Sequence, residues 1–267
     1  MHPDWLTPDW PAPPGVRAVF TTRQGGVSVA PWDSMNLGDH VGDATAQVAA
    51  NRAVLGQAMG AKPVFLQQVH GTGVLTLDAG TAQGQPADAA VTTQPGVACT
   101  IMVADCLPVL LSTRDGTVVA AAHAGWRGLA GTQGRGILES VYESFSALAL
   151  MDQAQTATNT IAWLGPCIGP TAFEVGAEVR AAFVEGDPRA ATCFTALASG
   201  KYLADLAGLA RLRLQALGVT QIYGNDGTPP WCTVGNVSRF FSHRRDAGVQ
   251  GNGFHTTGRM AACIWRD

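Results

Sequence analysis

Three reactive side chains stand where apolar runs give way to glycine or to a turn: His70 closing "VFLQQVHG", Cys106 inside "VADCLPVLL", and His123 in "VVAAAHAGWRG". Two imidazoles and a thiol support two kinds of chemistry. They make three ligands of a catalytic zinc whose fourth position is left for water, since Cys with His is an accepted mixture. They also make a cysteine nucleophile with a histidine base. The separations, 36 residues from His70 to Cys106 and 17 from Cys106 to His123, match no short metal signature and leave both readings open. A lone cysteine in an apolar run is commonly inert packing, and a strand-end histidine commonly a structural hydrogen-bonding group. The shared situation is what lifts these three: strand ends that converge on one edge of a sheet form a pocket.

The elements that must position them are readable in outline. Strands are expected at 16–22, 64–69, 73–77, 87–93, 97–104, 108–112, 118–124, 160–165 and 260–265, with "QIYG" as another late strand. The 64–69 and 73–77 segments read as paired around His70 and Gly71, and "RDGT" as a hairpin turn whose Asp-Gly pair supplies positive φ. Helices are expected over 44–59, capped by Asp43 and stopped by Gly60, from the glycines near 131–136 to about 149, over 174–184 and over 201–218. Between the first strand and first helix lies a long loop rich in Gly, Asp, Asn and Ser, a length that is usually functional or disordered, with Trp32, Met35 and Leu37 favouring an ordered loop. Residues 1–15 hold prolines and tryptophans and read as an extended lead-in to one domain of mixed α and β spanning 1–267.

Composition narrows the function classes. Of 267 residues 46% are hydrophobic and 14% charged, which excludes a disordered chain. A net charge of −3 gives no footprint for nucleic acid and no polybasic segment for a membrane surface. The 97–111 apolar region is interrupted by Asp105 and too short to span a bilayer, and the N-terminus lacks signal-peptide features, so a cytoplasmic protein is expected. Six scattered cysteines without a CxxC pair argue for reduced thiols rather than a disulfide framework.

In order along the chain, "TTRQGGVS", "NLGDHVGD", "QVHG", "ADCLPVLL", "HAGWRG", "GPCIGPTAFEVG", "FFSHRRD" and "TGRMAACIW" resemble the bacterial laccase-domain family, also called multicopper polyphenol oxidase. Its members are also described as purine nucleoside phosphorylases with adenosine deaminase activity, and as a peptidoglycan editing factor. The resemblance runs from about residue 16 to the C-terminus. It implies a four-layer α/β/β/α sandwich with mixed sheets, related to cysteine hydrolases, and a zinc site from His70, Cys106 and His123. Copper is a second metal these donors suit. A four-copper oxidase centre needs many imidazoles, commonly in His-x-His pairs; the six histidines here are dispersed and form none.

The implied substrates are a purine nucleoside (adenosine, inosine or methylthioadenosine) and phosphate. Deamination needs a group that moves protons, for which Asp105 and Glu174 are the candidates. An orienting contact to a ligand histidine is the competing role for Asp105, and a favourable helix N-terminal charge for Glu174. Phosphorolysis needs arginine forks and free backbone N–H groups. Arg23 beside Gly25 and Gly26, Arg127 between Gly125 and Gly128, and His243 with Arg244 are the candidates, with Asn36 of "NLGDHVGD" among the substrate contacts. Trp126 is placed to stack on a purine or to pack against the core strands. Three other readings stand beside this one: an amidase that edits a UDP-muramoyl-serine precursor, a copper-dependent polyphenol oxidase, and a metal-binding protein without catalysis.

Overall fold

The computed structural model describes residues 1–247 and 256–267. In chain order its first elements are β1 (Val16–Phe20), α1 (Thr45–Met59), β2 (Lys62–Phe65), β3 (Val74–Thr76), β4 (Ala89–Thr92), β5 (Val97–Val103), β6 (Leu107–Thr113) and β7 (Val119–Ala124). Then come α2 (Trp126–Ala130), α3 (Ile137–Ala149), α4 (Gln153–Thr158), β8 (Thr160–Leu164), β9 (Glu174–Val175) and α5 (Ala177–Val184). The last are β10 (Phe194–Ala196), β11 (Tyr202–Ala204), α6 (Leu206–Ala216), β12 (Gln221–Gly224), α7 (His243–Asp246) and β13 (Met260–Arg266).

Two mixed sheets carry the architecture, in the orders β1-β13-β5-β2 and β12-β8-β6-β7-β4-β3. A small three-stranded sheet, β10-β11-β9, lies apart from them. Alternate residues of each strand face opposite sides, and here both sides are buried. Ala90, Leu110, Val119 and Ala121 of the six-stranded sheet meet Val64, Cys99, Ile101, Ala262 and Ile264 of the four-stranded sheet in one core. The other face of the six-stranded sheet, through Ala89, Val91, Val109, Leu111 and Ala120, packs on Val141 and Phe145 of α3 and Leu214 of α6. The other face of the four-stranded sheet, through Val19, Ala98, Met102 and Cys263, packs on Leu55 and Met59 of α1. The layers are therefore α/β/β/α. Each fully buried Leu, Ile or Phe in them contributes about 1.5–3 kcal/mol.

Several local expectations are corrected. β2 and β3 do not pair: β2 lies parallel to β5 in one sheet and β3 parallel to β4 in the other. The backbone at His70 takes a left-handed turn (φ 59°) and carries the chain between sheets. α1 has Ala44, not Asp43, at its N-cap, because the Asp43 carboxylate is drawn to Ser28 and Asn36. Gly60 ends that helix in the αL conformation as expected. The β6–β7 hairpin is present, with Gly116 alone supplying positive φ (71°). The helix expected from Glu174 starts at Ala177, and Glu174 is in β9. The helix expected from Lys201 starts at Leu206 behind an Asp205 cap, and residues 202–204 form β11. In the lead-in, Leu6 exchanges two backbone hydrogen bonds with Phe20 and Trp5 is buried. Among the described residues no helix is long and apolar enough to cross a membrane.

Candidate functional site

The three donors meet at the end of the molecule where the chain passes between the two sheets. His70 is on the β2-to-β3 crossing. Cys106 ends the short β5-to-β6 crossing, just after Asp105, which also adopts positive φ (88°). His123 is the penultimate residue of β7, paired with Pro108 at the start of β6. Two non-glycine residues in the left-handed region at one place mark a backbone held by its surroundings, at a cost of about 1–3 kcal/mol each.

What holds it is a residue the sequence reading passed over. Asp88, fully buried at the lead of β4, accepts from the backbone N–H of Val69 (3.2 Å), His70 (2.9 Å) and Gly71 (2.7 Å). The same carboxylate lies 2.8 Å from His123 Nδ1. One buried anion therefore shapes the His70 turn and fixes the His123 ring, leaving Nε2 for the Cys106 side. Burial works against its charge, but His123 and the Gly71 and Val69 amides hold its pKa below the usual carboxylate range. The signal available in the sequence was one carboxylate in the otherwise small, apolar run "ADAAV".

Cys106 Sγ is 3.8 Å from His70 Nε2, the two imidazoles are edge to face at 4.7 Å, and all three donor atoms lie within 4.8 Å of one another. Burial would raise the Cys106 thiol, but the His123 charge and hydrogen bonds from both histidines bring it down to about 6. Burial would lower His123, but the Cys106 charge and the Asp88 contact lift it to about 9. These opposite shifts favour a thiolate–imidazolium pair in the metal-free site. Tetrahedral zinc with these ligands separates sulfur from nitrogen by about 3.6 Å, so small side-chain adjustments suffice and the donor set fits one such ion.

"HAGWRG" now has a steric explanation. A Cβ on Gly125 would lie 3.0 Å from both Cys106 Sγ and His70 Cδ2, and one on Gly128 would lie 2.7 Å from the Gly71 carbonyl oxygen. Both positions need glycine so that α2 can start against the donors.

A cavity of about 370 Å³ opens over this cluster. All three donors line it, with Ile168, Phe173, Leu206 and Trp126 as apolar wall and His40, His243, Arg244 and Arg259 as basic wall. Of the expected site residues, the structure brings His70, Cys106, His123, Asp105, Trp126, His243 and Arg244 to the cavity. The others lie elsewhere. Glu174 is exposed and ion-paired to Lys201 at 2.6 Å. Arg23 is spent on Asp33, on the Val237 carbonyl and on the Phe241 ring. Arg127 is exposed and stacks on Trp126 outside the cavity lining. Asn36 is wholly buried, bonded to Gly38, Asp43 and the Arg259 amide.

Asp105 does not touch a ligand histidine. Its two oxygens accept from Thr233 Oγ1 (2.5 Å) and the Arg244 amide (2.6 Å), so it ties the α7 segment to the site, and the expected support of a histidine falls to Asp88. His40, Gln68 and Arg259 are cavity residues the sequence reading did not single out. Gln68 pairs its amide with both backbone groups of Met102, fastening the His70 crossing to β5. His255 lies outside the described residues.

Residues 17–267 match the family model described as multi-copper polyphenol oxidoreductase laccase. A purine nucleoside phosphorylase of Pseudomonas aeruginosa is 47% identical over 262 residues, covering 98% of each chain. The purine nucleoside phosphorylase YfiH of Escherichia coli is 48% identical over 97% of this chain and 98% of its own. The crystal structure of a Neisseria meningitidis protein of family-model DUF152 superposes with a TM-score of 0.87 at 46% identity over 99% of both chains. YlmD from Geobacillus stearothermophilus superposes with a TM-score of 0.82 at 31% identity, over 95% of this chain and 92% of that one.

Proposed function

This chain belongs to the multi-copper polyphenol oxidoreductase laccase family, and from that premise we propose that it is a metal-dependent purine nucleoside phosphorylase with adenosine deaminase activity. The observation that carries the reading is one cavity combining three metal donors, an apolar and aromatic wall, and two arginines. His70, Cys106 and His123 hold the metal, zinc in this reading. When bound, zinc supplies Lewis acidity and a water that ionises near neutral pH. Copper is the alternative occupant of the same donors. Among the described residues this is the one such donor cluster, which does not provide for a four-copper centre.

In phosphorolysis an oxygen of hydrogenphosphate bonds to C1′ of the ribose as the C1′–N9 bond breaks. The bonding electrons leave with the purine, which takes up the proton that hydrogenphosphate gives up. Trp126 and Phe173 offer rings to the base, and the arginines offer forks to the phosphate. In deamination the C6 amino group leaves as ammonia and is replaced by oxygen from water. Glu174 is outside the cavity lining and paired with Lys201, and Asp105 is already bonded to Thr233 and the Arg244 amide. Burial and the Arg259 charge lower the His243 pKa, which leaves a neutral imidazole at the cavity for that role.

The test is metal-loaded protein incubated with adenosine, inosine or methylthioadenosine, with and without phosphate. Free base and the sugar 1-phosphate (ribose 1-phosphate, or 5-methylthioribose 1-phosphate from methylthioadenosine) are expected only with phosphate, and neither from Cys106→Ala. Nucleosides left untouched by the metal-loaded chain contradict the reading.

A specific observation favours a second reading. Cys106, His123 and Asp88 stand in the order nucleophile, base, orienting acid, as a thiol amidase requires. Chelation separates the two: an amidase acting through the thiolate keeps its activity on a UDP-muramoyl-serine substrate after the metal is stripped, whereas phosphorolysis stops.

A further inference from the structure

Arg259 differs from the other arginines packed into this protein. Arg23, Arg52, Arg213 and Arg245 each meet a carboxylate, from Asp33, Asp39, Glu139 and Asp246. Arg211 is spent on three carbonyls, those of Ile222, Gly224 and Asn225. Arg259 has neither arrangement among the described residues. Its Nη1 donates to the carbonyls of Thr257 (2.8 Å) and Gly258 (3.3 Å). The negative groups whose field reaches it are Cys106 and Asp105, and Asp105 is already bonded to Thr233 and the Arg244 amide.

Its position is nevertheless tightly fixed. The Arg259 amide donates to Asn36 Oδ1 at 2.9 Å, and its carbonyl accepts from Leu37 N at 3.0 Å. Gly38 lies so close that a Cβ there would sit 2.7 Å from Arg259 Cγ. The buried Asn36 amide thus serves to aim an arginine. A guanidinium held largely out of water without a carboxylate carries a desolvation cost that an anionic ligand offsets. The cavity this side chain lines also presents Arg244, itself tethered to the carbonyls of Ala172 and Glu174.

We propose that Arg259 anchors an oxyanion subsite for orthophosphate on the Cys106 side of the cavity, with Arg244 as its second fork. The existence of the subsite follows from the cavity and from a guanidinium that no carboxylate hydrogen-bonds. The identity of the anion rests on the phosphorolysis reading above.

The experiment compares the wild-type chain with Arg259→Gln, Arg259→Lys and the surface control Arg189→Gln, whose guanidinium is spent on Asp187. Two readouts are taken on metal-loaded protein: calorimetric binding of inorganic phosphate alone, and the KM for phosphate at saturating inosine. Arg259→Gln is expected to weaken both by roughly 10- to 100-fold while leaving the KM for inosine within about threefold. Arg259→Lys, which keeps the charge but loses the fork, is expected to fall between. Arg189→Gln is expected to match wild type. Unchanged phosphate binding in a folded Arg259→Gln overturns the proposal. So does Arg259-dependent binding of adenosine 5′-monophosphate with none of orthophosphate. Arg259-dependent phosphate binding by a wild-type chain that cleaves no nucleoside sustains the subsite and defeats phosphorolysis, so the two failures are distinguishable.

Discussion

The two halves of the cavity are built on opposite principles. The donor half is crowded and fully compensated. Asp88 satisfies three backbone amides and one imidazole, Cys106 and His123 neutralise each other, and Gly125 and Gly128 leave no spare volume. The basic half is aimed but lacks a bonded counter-ion, with Arg259 fixed by Asn36, Leu37 and Gly38 and hydrogen-bonded to no carboxylate among the described residues. A compensated cluster suits a resident ion, and one without a bonded counter-ion suits a ligand that comes and goes. Perturbations should therefore separate into changes of metal occupancy and changes of anion affinity.

The largest separable effect is the pH dependence of Cys106 in metal-stripped protein. Its depressed pKa keeps it thiolate above about pH 6 and protonates it below. Alkylation by iodoacetamide, followed by mass spectrometry, should be near its plateau at pH 7 and fall about tenfold per unit once the pH is below 6. Cys99, Cys167 and Cys263, whose thiols burial pushes up, should stay unmodified across that range. Equal labelling of Cys106 and these buried thiols would erase the contrast.

Asp88→Asn comes next. An amide cannot accept from all four donors, and its own N–H₂ would face some of them. Metal affinity, read by competition with a chromogenic chelator, should drop by roughly 10- to 100-fold. Phosphate binding should change far less, because Arg259 is fixed from another segment.

Gly125→Ala is a smaller perturbation of the same half. The added methyl group presses on Cys106 and His70, costing about 1–3 kcal/mol in thermal or denaturant unfolding and lowering metal occupancy with it. The smallest effect is expected from Glu174→Gln. Its pair with Lys201 is solvent-exposed, so stability should move by less than about 1 kcal/mol and phosphorolysis by less than about twofold. A large loss of activity there would restore Glu174 to the chemistry.

The difference between the halves also explains what could be read from the residues alone. Cysteine and histidine at strand ends are scarce, so His70, Cys106 and His123 were visible as a group before any geometry. Arginines are common, and their availability depends on partners that sequence does not reveal. Arg23 looked free beside two glycines but is occupied by Asp33 and Phe241, whereas Arg259 stands one residue ahead of the expected closing strand and carried no signal of its own. Asp88 was hidden for a related reason: a carboxylate in a buried strand becomes interpretable only when its hydrogen-bond partners are known. Strand positions were legible because both faces of each sheet are buried and the runs are continuously apolar. Their partners were not, as the β2 and β3 segments show. The ordered motifs, rather than periodicity, carried the four-layer architecture. Helix starts failed where a side chain had a stronger engagement than capping, as at Asp43, or where a short strand preceded the cap, as at residues 202–204.

The claim on which the account rests is that the Cys106 thiolate and the His70 and His123 imidazoles hold one ion with a position open to the cavity. X-ray absorption spectroscopy of the zinc-loaded chain tests it directly. The predicted spectrum has one sulfur at about 2.3 Å, two nitrogens at about 2.0–2.1 Å and one further oxygen or nitrogen ligand, with the sulfur lost in Cys106→Ala. A first shell of nitrogen and oxygen alone in the wild-type protein would contradict it.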